Sequence, residues 1–173
     1  MNLTEVILED GKVIHSSEEI SLGAFEMPGG SYAVAEKTPL DLTVENTGKK
    51  VLRLRGKMDC TVLIPCDRCL TDVPVRLPLD FEREVDMKLS DEERTEALDE
   101  SVFLHGYNLN VDELVCGEAL LVWPMKVLCR EDCKGLCPVC GQNLNLKTCD
   151  CDRTDLDPRM AKIRDIFKNF KEV

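Results

Sequence analysis

Six of the ten cysteines of this 173-residue chain lie within twenty-three positions near its C-terminal end. The second half of this stretch holds two close pairs of thiols, separated by Gly141 and seven further residues. A Cys-x2-Cys pair can present both sulfurs to one ion because the chain turns tightly there, and a following glycine can take the positive φ that such a turn often needs. Four soft sulfur ligands in a tetrahedral array favour zinc. We therefore predict a zinc site with these ligands: Cys137, Cys140, Cys149 and Cys151.

Two further pairs of thiols predict a second site. Cys66 and Cys69 form another Cys-x2-Cys pair in the middle of the chain, and Cys129 and Cys133 remain unassigned near the first predicted site. Each pair needs two more ligands, so we predict that these four cysteines hold a second zinc ion and join a strand turn to the cysteine-rich segment. Metal binding between residues so far apart in sequence would contribute directly to the free energy of folding. The alternative is a single zinc ion drawn from the six C-terminal cysteines.

Disulfide pairing and an iron–sulfur cluster are the alternatives to zinc. Cysteines that cluster as pairs in a reducing compartment are better explained by metal than by disulfides. The spacing lacks the ferredoxin-type pattern, which argues against an iron–sulfur cluster. Cys60 and Cys116 belong to no pair and are expected to be ordinary thiols, Cys116 as a small buried side chain within a helix.

Charge and composition restrict the class of partner. The net charge is -11 and the isoelectric point is about 4.7, which argues against a protein whose whole surface binds nucleic acid. The first residues show no charged-then-apolar leader, and no apolar run reaches eighteen residues. We therefore expect a cytoplasmic protein with no membrane span and no small-molecule substrate.

Any RNA contact on so acidic a chain must be local. Arg53, Arg55 and Lys57 alternate with apolar residues and place a small cationic patch, here called the basic strip, on one face of a predicted strand. A solvated strand face is the plainer explanation, because no aromatic residue is interleaved with the strip. Further candidates for contact with RNA or a partner flank the cysteines: Arg68, Arg130, Lys134 and Lys147.

Alternating apolar and polar residues predict several strands that are solvated on one face. The expected strands lie at 40–45, 52–57, 61–64 and 73–87, with one or two more around Asp10 and Gly11. Pro74 and Pro78 lack an N–H donor, so their part of the last strand should lie at a sheet edge or a bulge. The predicted fold class is α+β, a mainly antiparallel β-sheet or partly open barrel with a core helix, a cysteine-rich zinc module and a C-terminal helix.

Two helices are predicted in the second half of the chain. Asn110 offers an N-cap for a core helix over about 111–123. A last helix is expected to begin at Pro158, with an apolar stripe formed by Met160, Ile163, Phe167 and Phe170. The acidic segment 90–100 is expected to be a mobile loop or a short surface helix. We divide the chain into a β-rich domain with the core helix, 1–128, and a zinc-knuckle module with the C-terminal helix, 129–173.

The cysteine segments carry a resemblance to a known family. The sequences CDRCL, LVWPMKVLC and REDCKGLCPVCGQNLN, with the closing CDC and DPR, resemble those of the bacterial YceD family, the large-ribosomal-RNA-subunit accumulation proteins. The resemblance spans about residues 40–165, and the function of this family was long given as unknown. It implies a cytoplasmic ribosome-biogenesis factor that is needed for accumulation of large-subunit ribosomal RNA and has no known catalytic activity. It also implies that some members lack the last four-cysteine cluster, which would place the Cys66 and Cys69 site nearer the common core.

These observations predict a non-enzymatic zinc protein. Four thiolates leave no coordination position open for water or substrate, which is typical of structural zinc. The expected partners are large-subunit ribosomal RNA or ribosomal and assembly proteins, and an acidic surface suits a basic protein as well as the basic residues suit RNA. The alternatives are a zinc-thiol redox switch, or chaperone-like interaction protein, and a metal-dependent enzyme with an open coordination position.

Overall fold

The computed structural model describes residues 1–27, 29–88 and 102–151. Within these ranges the chain forms eight strands and two helices. The strands are β1 (Val13–Glu18), β2 (Ala24–Met27), β3 (Gly30–Lys37), β4 (Leu40–Gly48), β5 (Val51–Pro65), β6 (Asp72–Asp86), β7 (Leu104–His105) and β8 (Asn108–Leu109). The helices are α1 (Thr4–Ile7) and α2 (Val111–Leu121). The predicted helix after Pro158 and the whole acidic segment 90–100 fall outside the described residues.

A six-stranded sheet with antiparallel pairing dominates the fold. Its strands follow the order β1-β4-β5-β3-β2, and β6 pairs with β5 off this path. The strands β7 and β8 form a separate antiparallel pair. The large sheet does not close into a barrel. The predicted α+β class with a mainly antiparallel sheet is therefore confirmed in its open form.

Strands β5 and β6 are the two longest strands of the sheet. Strand β5 pairs with β4 through residues 51–57 and with β3 through residues 60–62. The sequence predicted two strands here, but Gly56, Met58 and Cys60 continue the buried face between them. Because side chains alternate between the two faces of a strand, that continuity allows one uninterrupted strand of fifteen residues.

Strand β6 buries one face as predicted, with Arg83 as the exception to its apolar pattern. Leu77, Leu79 and Phe81 are buried on that face. The Arg83 guanidinium donates to both carboxylate oxygens of Glu118 on α2, at 2.6 and 3.2 Å. Glu118 is only 7% exposed, so this charge-assisted pair supplies the partner that a buried carboxylate requires.

Helix α2 begins where its capping sequence predicts and ends earlier. The Asn110 side chain accepts a hydrogen bond from the backbone N–H of Glu113. The helix ends at Leu121, two residues before the predicted end at 123. Leu121 and Val122, which fall within the predicted core helix, are 60% and 44% exposed. The predicted core end of this helix is therefore wrong.

The side chain of Trp123 instead meets two aromatic rings from the edge of the sheet. Its ring centroid lies 5.0 Å from that of Tyr32 and 6.3 Å from that of Phe25. The Phe25 contact is edge-to-face, an arrangement that the charge distribution of aromatic rings favours. Trp123 therefore packs beyond the end of α2 rather than on its buried face.

The N-terminal segment differs from its prediction. Apolar residues at 3, 6 and 8 suggested a strand, but Thr4–Ile7 forms one helical turn. The buried Asn46 side chain donates to the carbonyl oxygens of Val6 and Ile7 at 2.8 and 3.2 Å. These bonds satisfy carbonyl groups that so short a helix cannot pair internally. A tertiary contact from β4 thus decides the conformation of this segment.

Contacts between residues divide the chain into two compact units. The β-rich unit holds residues 1–64 and 73–125, and the cysteine-rich unit holds residues 65–72 together with those from 126 onward. The two-domain boundary at 128 stays a prediction. None of the described helices has the length and apolar character needed to span a membrane.

A close approach inside the sheet gives a test of its packing. A Cβ atom on Gly56 would lie 2.2 Å from the ring of the buried Phe81, so Gly56→Ala should destabilise the protein by about 1–3 kcal/mol through overpacking. Gly117 in α2 has no atom within 4 Å of such a Cβ, so Gly117→Ala should stabilise it by about 0.5–1 kcal/mol. Urea unfolding at constant metal content measures both. A Gly56→Ala variant as stable as the parent chain would contradict the packing.

Candidate metal centres

The turn between β5 and β6 forms a compact knuckle around Cys66 and Cys69. The N–H of Leu70 donates to the carbonyl of Cys66 at 2.9 Å, and the N–H of Cys66 donates to the carbonyl of Thr71 at 2.8 Å. Leu70 follows the second cysteine with a φ of 58°. The side chain of a non-glycine residue makes this left-handed conformation unfavourable, so the surrounding bonds must impose it.

The C-terminal Cys-x2-Cys pair has the same backbone pattern. Gly141 donates to the carbonyl of Cys137 at 2.8 Å, and Cys137 donates to the carbonyl of Gln142 at 2.8 Å. Gly141 has a φ of 73°, which confirms the positive φ predicted after the second cysteine. The two knuckles are therefore built alike, with glycine in one and leucine in the other at the left-handed position.

The fold collects eight cysteines into two groups of four, as their spacing predicts. In each group the four sulfur atoms lie within 4.8 Å of one another. The first cluster is Cys66, Cys69, Cys129 and Cys133, and the second cluster is Cys137, Cys140, Cys149 and Cys151. Cys60 and Cys116 lie in neither, as predicted, but Cys116 is only half-buried; loss of hydration raises the pKa of both thiols.

The sulfur separations suit a metal ion rather than a disulfide. In the first cluster, the Cys66 and Cys133 sulfurs are 3.9 Å apart and those of Cys69 and Cys129 are 3.6 Å apart. A disulfide requires about 2.05 Å. Four sulfurs placed tetrahedrally at about 2.3 Å from a zinc ion would lie about 3.8 Å apart. The first cluster therefore has the dimensions of a tetrahedral thiolate site, and none of the ten cysteines forms a disulfide.

The two clusters differ in burial. Three sulfur-bearing residues of the first cluster are buried and only Cys129 is exposed. In the second cluster only Cys137 is buried, Cys140 is exposed, and the other two are half-buried. The first cluster is thus the better protected from solvent.

Hydrogen bonds at the knuckles favour thiolates. Burial opposes ionisation of Cys66, but backbone N–H groups donate to its sulfur and lower its pKa to about 6. Backbone N–H groups of Cys140 and Val139 lower the pKa of Cys137 to about 6. Such donors also suit a metal-bound thiolate, because both forms carry negative charge on sulfur.

Two other thiols, one in each cluster, hold their protons more firmly. Loss of hydration, followed by hydrogen bonding to the Cys69, Cys133 and Cys66 sulfurs, raises the pKa of Cys129 to about 12. Hydrogen bonding to Cys140 and loss of hydration raise the pKa of Cys151 to about 12. Each cluster therefore contains both a readily ionised and a reluctant thiol, and a bound cation would replace the protons of the reluctant ones.

Backbone and side-chain bonds hold the first cluster's two segments together. The Arg68 guanidinium donates to the carbonyls of Glu131 and Cys133 at 3.2 and 3.0 Å. The carbonyl of Arg68 accepts from the N–H of Leu136 at 3.0 Å. On the other side, Val127 donates to the Asp67 carboxylate at 2.7 Å. Arg68, proposed from the sequence as a contact for a partner, thus holds the chain around Cys133.

The basic strip faces a row of carboxylates on β6. The guanidinium of Arg53 lies 2.9 Å from Glu84, that of Arg55 lies 2.7 Å from Glu82, and the ammonium of Lys57 lies 3.5 Å from Asp80. Arg53 also pairs with Glu45 and Glu82. The hydrogen bond from Arg55 lowers the pKa of Glu82, which keeps this carboxylate ionised. The structure therefore places an acidic partner beside each residue of the predicted cationic patch.

The other basic candidates lie in the cysteine-rich unit. Arg130 donates to the side-chain oxygen of Asn145 at 2.7 Å and lies 3.5 Å from Asp132. Lys134 and Lys147 are exposed, and neither makes an ion pair within the described ranges. Sequence reasoning missed Asn145 and the neighbouring Asn143, although the alternating NLNL run between the cysteines was visible.

Comparison with known proteins places these clusters in a family. The family model described as "Large ribosomal RNA subunit accumulation protein YceD" matches residues 54–167, more than half of the chain. The chain belongs to this family. The YceD match includes all eight clustered cysteines and leaves β1 to β4 outside.

Three mycobacterial proteins are also similar to this chain. The chain is 27% identical over 150 residues to an uncharacterized protein of Mycobacterium bovis. The aligned region covers 87% of this chain and 69% of the relative. Uncharacterized proteins of two Mycobacterium tuberculosis strains match to the same extent. No solved structure matches this YceD-family chain.

Metal content tests the two clusters directly. Purified protein should contain two zinc ions per chain, and Cys66→Ser/Cys69→Ser should contain one, because the first cluster then keeps only two sulfur ligands. Cys116→Ser is the matched control and should keep two, since Cys116 belongs to neither cluster. Elemental analysis measures the content. One zinc ion in the parent chain, or no loss in the double variant, would contradict two sites.

Proposed function

We propose that this chain is a non-catalytic zinc protein that supports the accumulation of large-subunit ribosomal RNA by binding a component of the assembling subunit. Membership of the YceD family carries this proposal, since the family's name states the accumulation role. The two four-cysteine clusters supply the zinc sites. Cytoplasmic location forms part of the same proposal.

The donor set of both clusters fits zinc. Four cysteine sulfurs per site are the ligands of structural zinc, and the first cluster has the sulfur separations that such a site requires. Bound zinc would link each knuckle to the other cysteine pair of its cluster and add its binding free energy, about 10–16 kcal/mol for structural zinc in small peptides, to folding. The chain's own residues supply the preformed turns and the N–H groups that stabilise the thiolates.

A binding role suits these sites better than a catalytic one. Catalytic zinc keeps one coordination position for water or substrate, whereas four thiolates complete a tetrahedron. Each cluster brings four sulfurs together, so its own residues fill the whole coordination sphere. The proposed contribution of zinc is therefore to hold a binding surface in shape.

Charge favours a basic protein as the direct partner. Residues 1–64 and 73–125 carry twenty-three acidic and eleven basic side chains, whereas residues 65–72 and 126–151 carry five of each. The basic strip, the main candidate for phosphate contact, is paired with carboxylates of its own sheet. Because net charge steers association, the acidic unit suits a basic ribosomal or assembly protein. RNA contact would depend on exposed residues such as Lys134 and Lys147.

Deletion and replacement in cells test the proposed function. Loss of the protein should lower the ratio of large-subunit to small-subunit ribosomal RNA, because the proposed assembly component loses its binding partner. Cys116→Ser should restore the ratio, whereas Cys66→Ser/Cys69→Ser should not, since only the latter removes ligands of a cluster. Quantification of both RNAs measures the effect. An unchanged ratio after deletion would overturn the proposal.

Crosslinking in the same cells separates the two partner classes. A basic protein should be recovered with the parent chain and equally with Lys134→Glu/Lys147→Glu, because the acidic unit carries the contact. Without the crosslink, raised salt should weaken the complex, since it screens exposed charges. Recovery of RNA alone, abolished by the double substitution, would assign the binding to RNA instead.

A zinc-thiol redox switch is the second candidate function. One cysteine of each cluster, Cys129 and Cys140, is exposed and therefore accessible to oxidants. Oxidation of a ligand sulfur removes the thiolate that holds the metal. Mild peroxide should then release zinc, and thiol reductant should restore both zinc content and partner binding. Zinc content that peroxide leaves unchanged would exclude the switch.

A further inference from the structure

The eight-residue connection between Cys140 and Cys149, here called the connecting loop, belongs by sequence to the second cluster. Two of its side chains, Asn143 and Asn145, form hydrogen bonds around the first cluster instead. The loop therefore touches the surroundings of one metal site while both of its ends are ligands of the other.

Asn145 contacts a ligand sulfur of the first cluster directly. Its side-chain nitrogen donates to the sulfur of Cys133 at 3.2 Å. Its side-chain oxygen accepts from the Arg130 guanidinium at 2.7 Å and from the backbone N–H of Lys134 at 2.8 Å. Both donors require an oxygen acceptor, so the amide orientation is determined and the NH2 group must face sulfur. An N–H donor stabilises the negative charge of a metal-bound thiolate.

Asn143 makes a second, indirect link to the same cluster. Its side-chain nitrogen donates to the Thr71 hydroxyl at 3.4 Å, and this hydroxyl lies 3.4 Å from the Cys69 sulfur. Its side-chain oxygen accepts from the backbone N–H of Asn145 at 3.0 Å, which positions the first link. The loop thus reaches a sulfur from each of the two segments that form the first cluster.

The same loop is attached to the second cluster at both ends. Gln142 accepts from the N–H of Cys137 within the second knuckle, and the loop closes at Cys149. The N–H of Leu144 donates to the carbonyl of Gly135 at 2.9 Å, between the two clusters in sequence. A metal ion in the second cluster would hold both loop ends in place and so reduce the number of conformations available to Asn145.

We infer that the two metal sites are thermodynamically coupled through the connecting loop, with Asn145 as the positioning residue that makes the first site bind more tightly once the second is filled. The inference rests on the proposed zinc binding. Reciprocity requires that filling the first site strengthens the second by the same factor. Loss of a residue that orients a metal ligand typically weakens metal affinity by about 10–100-fold, and we expect a coupling of about tenfold.

Competition with a chromophoric zinc chelator measures the coupling in the full chain. The single-site chains are Cys140→Ser/Cys149→Ser, which keeps the first cluster, and Cys66→Ser/Cys69→Ser, which keeps the second. The product of the two binding constants of the parent chain should exceed the product of the two single-site constants by about tenfold, the lower end of the effect of such positioning groups. Circular dichroism checks that each variant remains folded.

Asn145→Asp tests the positioning residue and does not depend on the single-site chains. The variant keeps the oxygen acceptor and loses the N–H donor, so the product of binding constants should fall about tenfold. Leu146→Ala is the matched control in the same loop, because this side chain is 83% exposed, and its product should stay within about twofold of the parent, less than the positioning effect. With cobalt in place of zinc, Asn145→Asp should move the sulfur-to-metal charge-transfer band to lower energy, because sulfur loses a donor.

The outcomes separate this inference from the proposed function. Two zinc ions bound with the same constants as in the single-site chains would overturn the coupling and leave zinc binding intact. An Asn145→Asp variant with parental constants and an unchanged cobalt spectrum would also overturn it. A parent chain that binds no zinc would reject the proposed function itself, together with the coupling.

Discussion

Crowding of four sulfur atoms within 4.8 Å is the constraint on which the cysteine-rich unit depends. Four adjacent thiolates repel one another, so the cluster needs either protons or a cation between its sulfurs. Against the effect of burial, backbone N–H donors lower the pKa of Cys66 to about 6, whereas burial and hydrogen bonding to neighbouring sulfurs raise that of Cys129 to about 12. The knuckle turns and the side chains around them keep the sulfurs close despite the repulsion between thiolates. A divalent ion would resolve the repulsion and complete the unit.

The two parts of the chain differ in net charge. The β-rich part carries most of the excess negative charge, and the cysteine-rich part is balanced. Pairing across β5 and β6 neutralises the basic strip, as the contacts of Arg53 with Glu84 and of Arg55 with Glu82 illustrate. Exposed ion pairs of this kind contribute little to stability, but they reduce the uncompensated positive charge that the surface presents to a partner. This charge distribution is the basis for proposing a basic protein as the partner.

The sequence predicted the grouping of the cysteines better than it predicted the ends of the helices. Eight cysteines in four close pairs leave few ways to complete two tetrahedral sites, so the grouping follows from counting ligands. Alternation likewise identified β4 and β6. The short helix α1 escaped prediction because its carbonyls are satisfied by Asn46, forty residues away. The neutralised basic strip escaped for a similar reason, since its carboxylates come from another strand.

By itself, the sequence determined the pairing of the cysteines, the knuckle turns and the strand periodicity, because these depend on residue type and short spacing. Tertiary structure alone decided which polar groups meet. Arg83 reaches Glu118, Arg68 holds the backbone around Cys133, and Asn145 turns its NH2 group toward that cysteine's sulfur. Each of these contacts joins residues brought together only by folding, and hydrogen bonds form only at short range and in a narrow set of directions.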